Sequence, residues 1–182
     1  MTITELLGNE LIIGPRIEPS SLLVYLVKYE GSDHILKVSR KNDLFDLDQM
    51  KTEQRILEAC EDLKGITHLV KKYDLSKSED YETALLKEYV AGSDLARKQR
   101  PLLPHLKEEL KRTILRLHQR RVAGLELTPE NVVVSSDERE VKIVDFGSGS
   151  IFSQEQENEL KYWVERDYFN LQCLVKRMQR TF

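Results

Sequence analysis

Long apolar runs are missing from this sequence of 182 residues. No stretch approaches the roughly 18 consecutive apolar residues of a membrane-spanning helix, and no basic segment with an apolar core behind it opens the chain, so neither a membrane span nor a signal peptide is expected. An excess of one charge is missing too. The 28 basic and 31 acidic residues are mixed along the chain and leave a formal net charge of −3; without a basic patch, nucleic acid is disfavoured as a partner. Cysteine and histidine are scarce, at two and four residues. The histidines lack ligand spacing, which argues against a zinc site. Cys60 and Cys173 both fall on apolar stripes of predicted helices, where a thiol is expected to be a small buried hydrophobe. There are no internal repeats and no low-complexity tracts. The expectation is a soluble cytoplasmic protein whose 40% hydrophobic residues bury one sizeable core, divisible into two small lobes.

What is present divides into a β-rich first part and a helical second part. From Leu11 to Val38 the pattern reads strand, irregular segment, strand, turn, strand. Ser21 to Tyr29 is β-rich, Glu30 to Asp33 is a turn, and His34 to Ser39 alternates so that Ile35, Lys37 and Ser39 share a face. Asp48 to Lys64 follows as a helix with Met50, Leu57 and Cys60 on its apolar stripe and Glu53 in the same row. A carboxylate facing a core is costly unless a cation meets it, and the nearest upstream candidate is Lys37. After a charged loop, Ala84 to Asp94 reads as a strand passing into a connector, with Gly92 relieving backbone restriction. Pro101 and Pro104 open a helix that carries Leu106, Leu110, Ile114 and Leu117 up to Arg121, with His118 beside the stripe as a packing histidine. A last helix from about Glu159 to Arg180 holds Leu160, Val164, Leu171, Leu174 and Met178 in line, with Asp167 in the same row and in need of donors.

The stretch richest in chemistry lies between those two helices. Leu125-Glu-Leu-Thr-Pro-Glu-Asn131 leads into Val132 to Val134, a polar turn from Ser135 to Glu140, and Val141-Lys-Ile-Val-Asp145-Phe-Gly147. Two short β-branched runs around a polar turn predict a hairpin, which brings Asn131 and Asp145 to the same end of a two-stranded ribbon. An amide oxygen beside a carboxylate suits Mg²⁺, a hard ion that takes oxygen ligands and shares them with phosphates.

This stretch resembles the catalytic loop and metal-binding segment of protein kinases, in which H-R-D-L-x-x-x-N is followed by D-F-G. The resemblance extends from about Leu11 to Met178. Ile35-Leu-Lys37 is similar to the V-A-I-K lysine of the third strand, and Glu53 to its partner glutamate on the next helix. Gly65 to Val70 resembles the loop H-P-N-I-V, and Glu88-Tyr-Val90 resembles the hinge between lobes. The resemblance implies an α+β, two-lobed protein-kinase-like fold, with a small β-rich N-lobe over residues 1–90 and a shortened, mainly helical C-lobe over 91–182. It implies ATP and Mg²⁺ as cofactors. Lys37 and Glu53 then serve the α and β phosphates, Glu88 and Val90 the adenine, Asp94 the ribose, and Asn131 and Asp145 the metal. Asp167 corresponds to a helix aspartate that takes amides of the catalytic loop.

The pattern departs from that family in three places. Ile17, Pro19 and Leu22 stand at the three glycines of the nucleotide loop, so side chains replace bare backbone and proline removes a donor. Gly124-Leu125-Glu126 stands in place of H-R-D, so Glu126 occupies the base position with its carboxylate displaced by about 1.5 Å. General-base help is worth about 10²–10⁴-fold, so a slow enzyme is compatible with that displacement. Leu125 replaces the arginine that elsewhere receives an activation phosphate, which argues against switching by phosphorylation. Lys87 stands at the residue guarding the back pocket, usually apolar or threonine. No A-P-E follows Gly147 and few residues follow Asp167, so the usual peptide-docking helices are expected to be absent. Two functions follow with equal weight: transfer of the ATP γ-phosphate to a Ser/Thr hydroxyl, probed at Glu126, Lys37 and Asp145, or a pseudokinase that serves as a protein-binding scaffold. A small-molecule phosphotransferase is a distant third. A protein substrate or protein partner is expected in addition to ATP.

Overall fold

The chain enters its first sheet along β1 (Leu11–Arg16), returns through β2 (Leu23–Tyr29) and turns into β3 (Ser32–Arg40). Glu30 and Gly31 both take positive φ, 50° and 81°. A two-residue turn of that kind matches the right-handed twist of its strands, so Tyr29 pairs with Ser32 and the register runs back to place Val24 opposite Lys37. β4 (Leu69–Asp74) and β5 (Tyr81–Glu88) complete a five-stranded antiparallel sheet in the order β1-β2-β3-β5-β4. The structure, a computed structural model, describes residues 3–17, 22–98 and 101–179. The expectations placed on Pro19, Ser21 and Arg180, and on the side chain of Met178, lie outside the described residues.

Alternation along the strands gives this sheet two apolar faces. Leu23, Val27, Leu36, Val38, Ala84 and Leu86 lie on one, where α1 (Ile3–Leu7) adds Ile3 and Leu7. Val24, Leu85, Ile35 and Leu69 lie on the other, packed with Met50 of α2 (Leu44–Ala59). The second helix thus begins four residues before Asp48 and ends before Lys64. Its start is set by Asp43, whose carboxylate accepts the amide of Asp46 at 3.0 Å and so satisfies a donor that the first turn leaves open. The apolar stripe begins only at Met50, which is why the pattern alone reads the start late.

By its contacts the chain divides into two units, Met1–Gln54 with His68–Tyr89, and Arg55–Thr67 with Val90–Phe182. The five-stranded sheet belongs to the first. The second contains β6 (Gly92–Asp94), β7 (Val122–Ala123), β8 (Val132–Ser135), β9 (Val141–Ile143) and β10 (Ser150–Ile151). β6, β8 and β9 form one sheet in that order, and β7 pairs with β10. Gly92 has a role other than the connector freedom read from the sequence. A Cβ there would lie 1.9 Å from the carbonyl oxygen of Val134, so glycine is what lets β6 approach β8.

Two helices frame these short strands. α3 (Pro104–Gln119) starts on a proline, tolerated in a first turn whose amides have no helical partner, and buries Leu106, Leu110, Ile114 and Leu117 completely. α4 (Glu157–Gln179) follows a capping box in which Ser153 and Gln156 bond reciprocally, and packs Leu160 against Ala123 and Phe152. Cys60 is buried, and that burial raises the thiol above its ordinary pKa. Cys173 contradicts the expectation: it is exposed. It sits one residue, about 100° of helix, away from buried Leu174 and so faces off the apolar row. Among the described residues no helix is long and apolar enough to cross a membrane.

Candidate functional site

In the first unit, strand parity aligns two lysines. Lys37 on β3 pairs with Leu85 on β5, and Lys87 pairs with Ile35, so the lysines are diagonal neighbours on the face that packs with Met50. Glu53, one helical turn after Met50, lies between them and is 1% exposed. Its Oε2 accepts Lys37 Nζ at 2.8 Å and its Oε1 accepts Lys87 Nζ at 2.5 Å. Both contacts are charge-assisted and buried, and such a carboxylate survives desolvation because each oxygen meets a cation. The pairing of Lys37 with Glu53 was legible in the sequence. The second lysine was not: Lys87, which the resemblance puts at the position guarding a pocket, is also the other half of a clamp on Glu53. Counting parity back from Lys87 to Leu85, opposite Lys37, is the signal that finds it. Glu88, at the end of the same strand, accepts the amide of His68 through Oε2 at 3.3 Å.

In the second unit, the β8–β9 hairpin does what its pattern predicts. Val132 faces Ile143, and beyond that pair the amide of Val144 donates to the carbonyl of Asn131 at 3.0 Å. Asn131 and Asp145 therefore sit at the same end of the ribbon. The side-chain amide nitrogen of Asn131 donates to the carbonyl of Glu126 at 3.0 Å, which uses one of its two N–H groups and leaves its oxygen as the side-chain acceptor. Asp145 Oδ1 accepts the amide of Gly147 at 3.0 Å. Glu126 is exposed, and its Oε2 accepts the Ser148 hydroxyl at 3.2 Å, so the loop glutamate is tied to the segment that follows Gly147. Phe146, between Asp145 and Gly147, is buried and anchors that segment. Asp94 lies at the end of β6, where its Oδ1 accepts the amide of Arg97 at 2.8 Å, and Val90 begins the longer segment of the second unit.

The loop that carries Glu126 is held from behind by Asp167. This aspartate is fully buried on α4, and its Oδ1 accepts the amide of Leu125 at 2.8 Å. Its Oδ2 accepts the amide of Gly124 at 3.1 Å and Nε2 of His118 at 2.9 Å. Gly124 takes φ of +77°, a conformation that side chains rarely adopt, and this turns consecutive amides toward one carboxylate. His118 is thus more than packing, since it is a donor to the same group while its ring also meets Tyr168 edge-on at 5.2 Å.

Two hollows flank α4. One of about 260 Å³ is lined by Glu126, Thr128, Pro129, Asn170, Cys173 and Arg177, and so lies against the loop. The other, a groove of about 630 Å³ over Leu115, Tyr168, Leu171 and Val175, contains none of the candidate groups.

Part of this chain is similar in sequence to a serine/threonine-protein kinase. The serine/threonine-protein kinase ULK3 of Rattus norvegicus and that of Homo sapiens are each 34% identical to it over 104 residues, which cover 52% of this chain and 22% of the relative. The Xenopus laevis protein of the same name is 30% identical over 112 residues, or 56% of this chain and 24% of the relative. The chain matches less than a quarter of the length of these relatives. No family model matches it. The relationship is kinase-like, and a five-stranded antiparallel sheet with an adjoining helix is compatible with a small kinase-like N-lobe.

Proposed function

We propose that this chain binds ATP with Mg²⁺ and transfers the γ-phosphate slowly to a Ser/Thr hydroxyl, on a two-lobed kinase-like fold. The observation that carries this reading is the hairpin register that sets Asn131 beside Asp145. Among the described residues no cluster of three or more His, Cys, Asp or Glu could hold a metal alone. An amide and one carboxylate fit Mg²⁺ better than most ions, because it keeps several waters and completes its shell with substrate phosphates. When bound, the ion neutralises charge on those phosphates. On this reading Asn131 and Asp145 hold the metal, Lys37 meets the phosphates while Glu53 orients it, and Glu88, Val90 and Asp94 flank the nucleoside. Glu126 is the base, within reach of a hydroxyl only as far as its bond to Ser148 allows.

One observation favours the scaffold reading. The amide of Ile17, at the first position where kinases carry a bare glycine, donates to the carbonyl of Val24 at 2.7 Å and is committed to the strand ladder. Calorimetric titration of MgATP separates the readings. Binding that needs Mg²⁺ and disappears in Asp145→Ala, without loss of the folded state, is the outcome expected of the nucleotide site; absence of binding at millimolar MgATP overturns it and leaves the scaffold.

A further inference from the structure

The groove between α3 and α4 exposes apolar surface that the core does not use. On α3 the buried row runs through Leu110, Ile114 and Leu117, and Leu115, about 100° round the helix from Ile114, is 46% exposed. One exposed leucine is ordinary. This one stands across from Tyr168, Leu171 and Val175 of α4, and together they floor a concave space of about 630 Å³. The two helices run antiparallel, since His118 near the end of α3 bonds Asp167 at the middle of α4, while Glu108 near its start lines the groove with Lys176 near the end of α4. From Tyr168 to Val175 the floor covers about two helical turns, or about 10 Å of axis.

The rim carries mainly one sign of charge. Lys111 and Arg112 stand on α3 and Lys176 on α4, against the single carboxylate of Glu108. Lys111 takes up that carboxylate at 2.7 Å, whereas Arg112 and Lys176 form no ion pair among the described residues. A cationic rim is the exception in a chain whose net charge is −3. We propose that this groove is a docking site for an acidic amphipathic α-helix of a partner protein, with apolar side chains on the floor and carboxylates against Arg112 and Lys176. Both walls are helices whose backbone groups bond within themselves, so an extended peptide finds no strand edge to join, whereas a helix arrives with its own backbone satisfied. Leu171 is only 4% exposed, recessed beyond the reach of a flat bilayer but within reach of a side chain that enters the groove. A second copy of this chain would set like charges face to face, which disfavours it as the occupant. So short a floor suits a transient contact rather than a permanent one. Nucleotide binding plays no part in this docking.

Fluorescence anisotropy with the full chain tests it, using two labelled helical peptides of about 18 residues, long enough to hold a helix. Both carry leucines at i, i+3, i+4 and i+7; glutamates flank that stripe in one and lysines in the other. The glutamate peptide is expected to bind with a Kd on the order of 10 μM and the lysine peptide at least about tenfold more weakly, a gap that closes as salt is raised. Leu115→Gln lies outside the core, so it is expected to keep the urea midpoint of the original and to lose at least about tenfold in affinity for the glutamate peptide. Arg112→Glu/Lys176→Glu is expected to reverse the preference between the two peptides. Equal affinity for both peptides, undiminished binding by Leu115→Gln, or no binding of the glutamate peptide at about 100 μM overturns the proposal. Two controls name the rival occupants. A dimer seen in equilibrium sedimentation and abolished by Leu115→Gln makes a second copy the occupant and overturns the acidic helix; sedimentation with phosphatidylserine vesicles that Leu115→Gln abolishes makes it a membrane and does the same.

Discussion

Glu53 and Asp167 are both carboxylates sealed inside the protein, 1% and 0% exposed, and they are kept there by opposite means. Glu53 is met by two long, charged side chains carried on neighbouring strands. Asp167 is met by two consecutive main-chain amides and an imidazole. The first arrangement is made of groups that can swing, and its charges can be replaced residue by residue. The second is built into the path of the backbone at Gly124 and Leu125, whose amide donors are not exchanged by side-chain substitution as the lysines are. The difference teaches where the two sites can be altered: at the sheet the partners are side chains that substitution can exchange, whereas at the loop the donors are the backbone itself.

The largest expected effect is at Asp167. Replacing it with alanine leaves two amides and an imidazole without their acceptor, and at about 1–3 kcal/mol for each stranded donor the loss is expected to reach about 3–5 kcal/mol in urea denaturation. Glu53→Leu comes next. It removes the carboxylate that both lysines meet, and an expected loss of about 3 kcal/mol reflects the cost of breaking a buried pair, eased where a long lysine side chain can reach outward. A loss at Glu53 well above that at Asp167 would invert the comparison. His118→Leu removes one donor of three and keeps the bulk of the ring in part, so about 1–2 kcal/mol is expected, with the loop amides still on Asp167. The smallest effect sharpens the contrast most. Converting the whole clamp at once, in Lys37→Met/Glu53→Leu/Lys87→Met, is expected to leave stability within about 1 kcal/mol of the original, because apolar groups of similar volume replace the carboxylate together with both of its lysines. No apolar combination at Asp167 and His118 is expected to do the same, since the amides of Gly124 and Leu125 remain without an acceptor.

Much of this contrast was legible before the fold. Glu53 and Asp167 stood out for one reason: each is a carboxylate in an apolar helical row. The hairpin that joins Asn131 and Asp145 was legible because two β-branched runs flank a polar turn, and a period-2 pattern fixes which ends meet. The donors were harder. Amides of Gly124 and Leu125 carry no sequence signal of their own, and only the glycine hints that the chain bends there. Lys87 was hidden by being weighed alone, although its parity with Lys37 was present in the alternation of β5. The start of α2 was misplaced because a cap, Asp43, sets it rather than the apolar stripe. Cys173 was misjudged because a step of one residue on a helix moves a side chain from core to solvent.

That last residue has a practical side. The sequence has two thiols; Cys60 is shut in, and Cys173 opens on the hollow that it shares with Glu126, Thr128 and Pro129. A thiol-reactive dye therefore has one place to go in the folded protein, and that place adjoins the loop leading to Asn131. The native chain arrives with its own attachment point for a fluorophore or spin label, able to report on this loop without a cysteine-free background.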